Sequence, residues 1–182
     1  MGPLEITLSS STLGDDKLRN ETVLPFGTMV QVVNGDQGWM QTPMGKQAMS
    51  ADQVRDARES EARQLHRLFG RLESMRFQAL GKEDLEGSPC EVVVLYDEAG
   101  ERIKLFLDPG THLVRAMENK DQGESGPVLA RTIMADVRKE AGWGFARDLK
   151  ILHDGKLFAT YKVETLRVNP ELSADLFAEP KP

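Results

Sequence analysis

The stretch that most constrains this chain runs from Thr28 to Thr42, where Thr-Met-Val-Gln-Val-Val leads into Asn34-Gly35-Asp36-Gln37-Gly38 and Trp39-Met40-Gln41-Thr42 leads out. Two β-rich runs around residues that tolerate positive φ form the strongest short-range hairpin signal a sequence can carry. Similar punctuation recurs at Gly14-Asp15-Asp16, Pro25-Phe26-Gly27, Pro43-Met44-Gly45, Asp97-Glu98-Ala99-Gly100, Asp108-Pro109-Gly110 and His153-Asp154-Gly155-Lys156. Repeated hairpins without βαβ alternation predict an antiparallel sheet, curled on itself, and argue against a parallel one.

Between the turns the apolar period is two. Leu4, Ile6 and Leu8 share a face of a first strand that ends in Ser9-Ser10-Ser11, and Lys17 to Leu24 follows as a second. Lys46 to Met49 and Cys90 to Tyr96 read as strands, and Ile103, Leu105 and Leu107 alternate with Arg102, Lys104 and Phe106. Leu113 to Glu118 leads to a polar loop, Asn119 to Gly126, then to a long strand carrying Leu129, Ile133 and Val137. Leu149 to His153 and Leu157 to Val168 close a last hairpin, Asn169-Pro170 ends it, and Pro180 and Pro182 mark a frayed tail. The pattern counts roughly nine strands.

The period changes once. Ser50 with Gln53 three residues on is a capping box, and Asp52 sits where a helix dipole favours negative charge. Val54, Ala57, Leu65, Leu68 and Phe69 then recur at helical spacing, interrupted by Glu61, with Gly70 as a stop and Leu72, Met75, Phe77 and Leu80 as a second, shorter amphipathic piece. The expected architecture is mainly β (α+β): one domain over residues 1–182, an antiparallel sheet curled on itself, with a helical insertion at about residues 51–78 lying against it.

Composition bounds the function. A chain of 182 residues can bury one core. A net charge of −6 and a pI of about 5.2 argue against nucleic acid, whose affinity rests on Lys and Arg counterion release. Cys90 stands alone, so no internal disulfide forms, and it heads an apolar run as a buried thiol. No run reaches the ~18–20 apolar residues of a membrane span, and Met1 to Ser10 lacks a basic n-region. Because Leu4 to Leu8 already alternates like a strand within a sheet, the chain reads as part of a longer one whose leader is not included.

No residue pattern announces catalysis. His66, His112 and His153 lack ligand-like spacing, and the H-E-x-x-H, H-x-x-E-H and G-x-S-x-G signatures do not occur. Asp97, Glu98, Asp108 and Asp121 fall in turns, where solvation explains them. Gly142-Trp143-Gly144-Phe145 precedes a strand and reads as a bend at a sheet corner, and Asn20-Glu21-Thr22 is an incidental glycosylation pattern. We therefore expect no enzyme, no cofactor and no metal. The helical stripe admits two readings. It is packed core, or it lids an apolar cavity lined by Trp39, Met40, Val54, Leu65, Leu68, Phe69, Met75 and Phe106, to which eight methionines lend adaptability.

The order of these pieces resembles the periplasmic lipoprotein-carrier (LolA/LolB-like) superfamily of outer-membrane lipoprotein-sorting domains. The matching residues are Val33-Asn34-Gly35-Asp36-Gln37-Gly38-Trp39, Leu80-Gly81-Lys82-Glu83, Glu86-Gly87, Cys90-Glu91-Val92, Leu107-Asp108-Pro109-Gly110-Thr111, Val168-Asn169-Pro170 and Leu176-Phe177. The family often has a helix before the first strand and a Pro after the Gly corresponding to Gly142, where this chain has Trp143. The resemblance implies a curved, open antiparallel half-barrel with a helical lid or plug on its concave face, in an exported, periplasmic protein that shelters lipid or lipoprotein acyl chains there. Similar modules are appended to insulinase-type metallopeptidases, which gives the alternative of an interaction module that supports a peptidase domain or protein partner and holds no ligand.

Overall fold

In the computed structural model, which describes residues 5–96, 100, 102–123, 126–140 and 142–181, the chain is mainly β, with antiparallel pairing throughout. Five strands, β1 (Thr7–Leu13), β2 (Lys17–Leu24), β3 (Gly27–Asn34), β4 (Gln37–Thr42) and β5 (Gly45–Ala48), pair in chain order. Two helices follow, α1 (Ala51–Ala62) and α2 (Leu65–Gly70), then a short 3-10 turn, Leu72–Ser74. A seven-stranded meander comes next: β6 (Arg76–Leu85), β7 (Ser88–Tyr96), β8 (Arg102–Leu107), β9 (Val114–Gly123), β10 (Gly126–Glu140), β11 (Trp143–His153) and β12 (Lys156–Lys162). Each sheet is open, with β1 and β5 at the edges of the first and β6 and β12 at the edges of the second. The chain divides into two compact units, Met1–Gly70 with Glu171–Pro182, and Arg71–Pro170.

The turn chemistry sets the hairpins. Asn34 pairs with Gln37 across a two-residue loop in which Gly35 takes φ +60°, and Gly35 N–H donates to the Asp16 carbonyl at 2.9 Å. Asp154 and Gly155, at φ +48° and +78°, make the two-residue loop joining β11 to β12, as a primed hairpin turn requires.

Several boundaries differ from the sequence reading, each for a tertiary reason. β1 runs through Ser9-Ser10-Ser11 because those residues pair with Glu21, Asn20 and Arg19. Leu4 and the Asp97 to Ala99 part of a predicted turn lie outside the described residues. The stretch after Met75 is strand, since Phe77 and Ala79 pair with Leu95 and Val93; helix and turn therefore end at Ser74. Asn119 to Gly123 is strand as well, because Lys120 and Asp121 pair with Leu129 and Val128. One helix became two, with α1 ending at the cap residue Arg63. Beyond Lys162 the strand predicted to Val168 is absent among the described residues.

The largest correction is the tail. Ala174–Phe177 forms a 3-10 turn capped by Ser173, and Phe177 is fully buried against Val30 and Val32, with Trp39, Leu172 and Leu176 packed around it. Lys46 Nζ fastens the tail at the Pro180 carbonyl (3.0 Å) and Glu179 (2.7 Å). In the other unit a core of Leu85, Cys90, Val92, Phe106 and Ala116 extends to Ile133. Val92, Phe106, Ala116 and Ile133 are register partners in successive strands, so this core is a ladder running across the sheet.

Candidate functional site

The candidate site begins at the helix cap. Ser50 Oγ accepts from Gln53 N–H at 3.2 Å, and Gln53 Oε1 accepts from Ser50 N–H at 2.8 Å, so the capping box read from the sequence is formed. The helix so started presents little to the sheet. Within α1 Val54 alone is buried, Ala57 packs beside it, and Arg55, Asp56, Arg58 and Glu59 are exposed.

Val54 sits on Leu18 and Val33, with Met49 completing the contact. The seat exists because residue 38 is glycine: a Cβ there would stand 2.8 Å from Val54 Cγ2 and 2.9 Å from Met49 Sδ. Met49 N–H donates to the Gly38 carbonyl at 2.8 Å, tying the start of the helical segment to β4. Register places Leu18, Val33 and Gly38 on this helix-facing side, followed by Asn20, Gln31 and Met40. Asn20 Nδ2 donates to Gln31 Oε1 at 3.3 Å, which gives the apolar seat a polar boundary.

The eight predicted lining residues do not share one surface. Trp39 pairs with Val32 and packs in the Phe177 core, on the side of the sheet opposite Val54, whereas Met40 pairs with Gln31 on the Val54 side. Leu68 of α2 is fully buried and Leu65 and Phe69 are half-buried. Met75 and Phe106 belong to the other unit, where both are buried and Phe106 is part of the ladder core. Lys104 Nζ lies 4.8 Å, and the Arg131 guanidinium 5.3 Å, from the Phe106 ring centroid. These cations are bound to Glu83 and Glu118 at 2.6 Å each.

The charged groups have structural explanations. Glu61, at the break in the helical stripe, accepts from Arg67 at 3.3 Å and has His66 Nε2 at 3.4 Å. His153 stacks on Phe158 at 4.0 Å, and His112 takes φ +57° in the turn after β8. The Asp108 carboxyl is held below the usual carboxylate range by the Thr111 N–H, the Thr111 hydroxyl and the Gly110 N–H, which close the Asp108-Pro109-Gly110 turn. Asp136, at φ +47° in β10, is lowered by its hydrogen bonds to Arg138, the shortest 2.7 Å. Depressed carboxylates stay ionised at neutral pH, the opposite of what a general acid needs. Among the described residues no three His, Cys, Asp or Glu side chains group as metal ligands. No helix there is long and apolar enough to cross a membrane. What the site offers chemically is apolar contact.

Sequence reasoning missed Phe177, although Leu172, Leu176 and Phe177 together were a signal for a docked segment. It also missed Arg147, a buried guanidinium donating to the Val163 carbonyl at 3.3 Å. No local pattern distinguishes that arginine.

No protein-family model matches the sequence, and no curated protein matches it. Solved structures share its fold. A LolA superfamily protein from Nitrosomonas europaea aligns over 95% of this chain and 86% of its own, at 11% identity and a TM-score of 0.50. A DUF1329 family protein from Desulfovibrio piger aligns over 95% of this chain and 80% of its own, at 11% identity and a TM-score of 0.51. The mainly β, antiparallel class expected from the order of turns and strands is the class observed, in two open sheets.

Proposed function

We propose that this protein, with the fold found in the LolA superfamily, is a non-enzymatic, exported carrier that shelters a lipid or lipoprotein acyl chain between the helical segment α1–α2 and the five-stranded sheet. One observation carries the reading: within α1, the sheet holds the helix by a single buried side chain, Val54. Exposing one valine costs about 1.5–3 kcal/mol. The Arg58–Asp36 pair at 3.5 Å is exposed, and such pairs contribute about 0–1 kcal/mol. Each buried acyl methylene returns about 0.8 kcal/mol, so roughly four of them offset the exposure of Val54 and the loss of that pair. A ten-carbon chain gives ~8 kcal/mol gross, enough for micromolar affinity when ordering costs stay small.

In this mechanism Val54 is the latch and the capping box keeps α1 helical when it lifts. Met40, Leu65 and Phe69, partly exposed and outside the Phe177 core that holds Trp39, receive the chain, and the Asn20–Gln31 pair limits how far it runs. Trp39, Leu68, Met75 and Phe106 serve the cores. The shared fold supports the reading through the acyl-chain shelter that the resemblance implies.

The test is uptake of a fluorescent fatty acid by the wild type and by Leu65→Glu, with far-UV circular dichroism as the folding control. The wild type should bind and the variant should not, since the ligand would bury an unpaired charge. Equal uptake by a folded variant sinks the proposal. The near-complete burial of Val54, Leu68 and Phe106 favours a second reading, an interaction module with a filled core. A bare mass in native mass spectrometry together with no lipid uptake is the result expected of it. Its association with an insulinase-type peptidase rests on the resemblance alone.

A further inference from the structure

The outer backbone of an edge strand has N–H and C=O groups that no neighbouring strand satisfies, and proteins block such edges with charge, proline, bulges or brevity. Three of the four edges among the described strands are blocked in this way. β5 is four residues long and carries Lys46. β6 carries Arg76, Lys82, Glu83 and Asp84, and its register with β7 shifts between Ala79 and Gly81. β12 begins and ends in lysine, and the pairing of β11 with it shifts between Ile151 and Leu152. β1 has none of these devices. Its seven residues, Thr-Leu-Ser-Ser-Ser-Thr-Leu, include no charge and no proline, and all seven pair with β2 in unbroken register. Thr7 to Ser10 and Leu13 are exposed, Leu8 by 48% and Leu13 by 42%.

The strand complements itself. Antiparallel pairing with a second copy about a two-fold axis at Ser10 overlaps all seven residues, so that Leu8 faces the partner's Thr12, Ser9 the partner's Ser11 and Leu13 the partner's Thr7. A two-fold perpendicular to the sheet keeps each face on its own side. Register places every charged residue of β1 to β5, namely Lys17, Arg19, Glu21 and Lys46, on the side that carries Val30 and Val32. The helix-facing side therefore brings no charge to the seam, and its middle row is Ser10, Asn20, Gln31, Met40 and Gln47. On the other side Glu21, beside Ser9, comes into one row with the partner's Arg19, beside the partner's Ser11. A slip of two residues either way would align Glu21 or Arg19 with its own copy, so charge favours the register centred on Ser10. A seam of one strand is smaller than the ~800 Å² per side of a tight complex, which places the association in the micromolar range.

We propose that β1 is a dimerisation edge through which two copies of this chain join their five-stranded sheets into one continuous antiparallel sheet. This does not rest on ligand binding at α1. The experiment is analytical ultracentrifugation of the full chain over about 10–500 µM, where the dimer fraction of the wild type should rise with concentration. Ser10→Lys sets like charges against each other at the axis and should weaken association at least about tenfold. Ser10 is exposed, so far-UV circular dichroism and thermal unfolding should stay unchanged in that variant. A second measurement is disulfide formation under mild oxidation. Ser10→Cys brings two thiols together at the axis with Cα atoms about 4.5–5.5 Å apart, within the range a disulfide spans. Leu13→Cys, also exposed, would leave the two copies about 20 Å apart. Native Cys90 is fully buried and does not compete. The cross-linked dimer should form from the first variant and not from the second. A monomer throughout, association unchanged by Ser10→Lys, or equal cross-linking at positions 10 and 13 would each overturn the proposal.

Discussion

In the five-stranded sheet Val33 is covered by Val54 of the helix that follows the sheet, and Val30 and Val32 are covered by Phe177 from the far end of the chain. In the seven-stranded sheet Val92, Phe106, Ala116 and Ile133 lie side by side in consecutive strands. The first core is closed by side chains brought in from outside the sheet, Val54 with Met49 and Ala57 on one side and Phe177 with Leu172 and Leu176 on the other. The second is built by hairpin neighbours, which lose little loop-closure entropy in meeting. The proposed ligand site is placed on the first kind, where Val54 is the one buried side chain of the covering helix α1.

That contrast can be broken first at Phe177. Phe177→Ala should cost about 3–5 kcal/mol in urea unfolding, with loss of amide protection greatest in β3 and β4. A loss below about 1 kcal/mol would mean that the tail is an ornament of the first core. Gly38→Ala comes next: the added methyl meets Val54 and Met49, and overpacking of this kind costs about 1–3 kcal/mol. Adding Val54→Ala should recover part of that loss, and a double-mutant cycle showing no coupling would remove Gly38 as the helix seat. Ser50→Ala should cost about 1 kcal/mol and lower helicity in circular dichroism, because Gln53 N–H loses its cap.

The smallest effect belongs to the seven-stranded unit. Asp108 is depressed by the Thr111 and Gly110 donors, so its stabilisation is fully present above its unfolded pKa of 3.8 and fades as the pH falls below it through the lower folded value. Asp108→Asn should flatten that part of the acid unfolding curve. An unchanged curve would place the acid sensitivity elsewhere.

The order of turns carried much of this fold in the sequence, since β2, the Thr28 to Thr42 hairpin, the capping box and the Asp154-Gly155 turn each depend on residues within a few positions of one another. Candidate lining was far less legible. Adjacent Trp39 and Met40 point to opposite sides of β4, and both sides are apolar nearby, so alternation could not show which one faces the helix. Ser9 to Ser11 and Asn119 to Gly123 read as loops because their side chains are polar, yet their backbones pair with neighbours that only the assembled sheet supplies.

By itself the sequence determined the antiparallel class, the place of the helical insertion and the lack of a recognisable catalytic pattern, because steric preference, side-chain period and capping act within a few residues. Only the tertiary structure decided that the tail seals one side of the first sheet and that Val54 alone of α1 is buried. Burial is a property of what lies across space, and a side chain's neighbours there are set by register and closure over long stretches of chain.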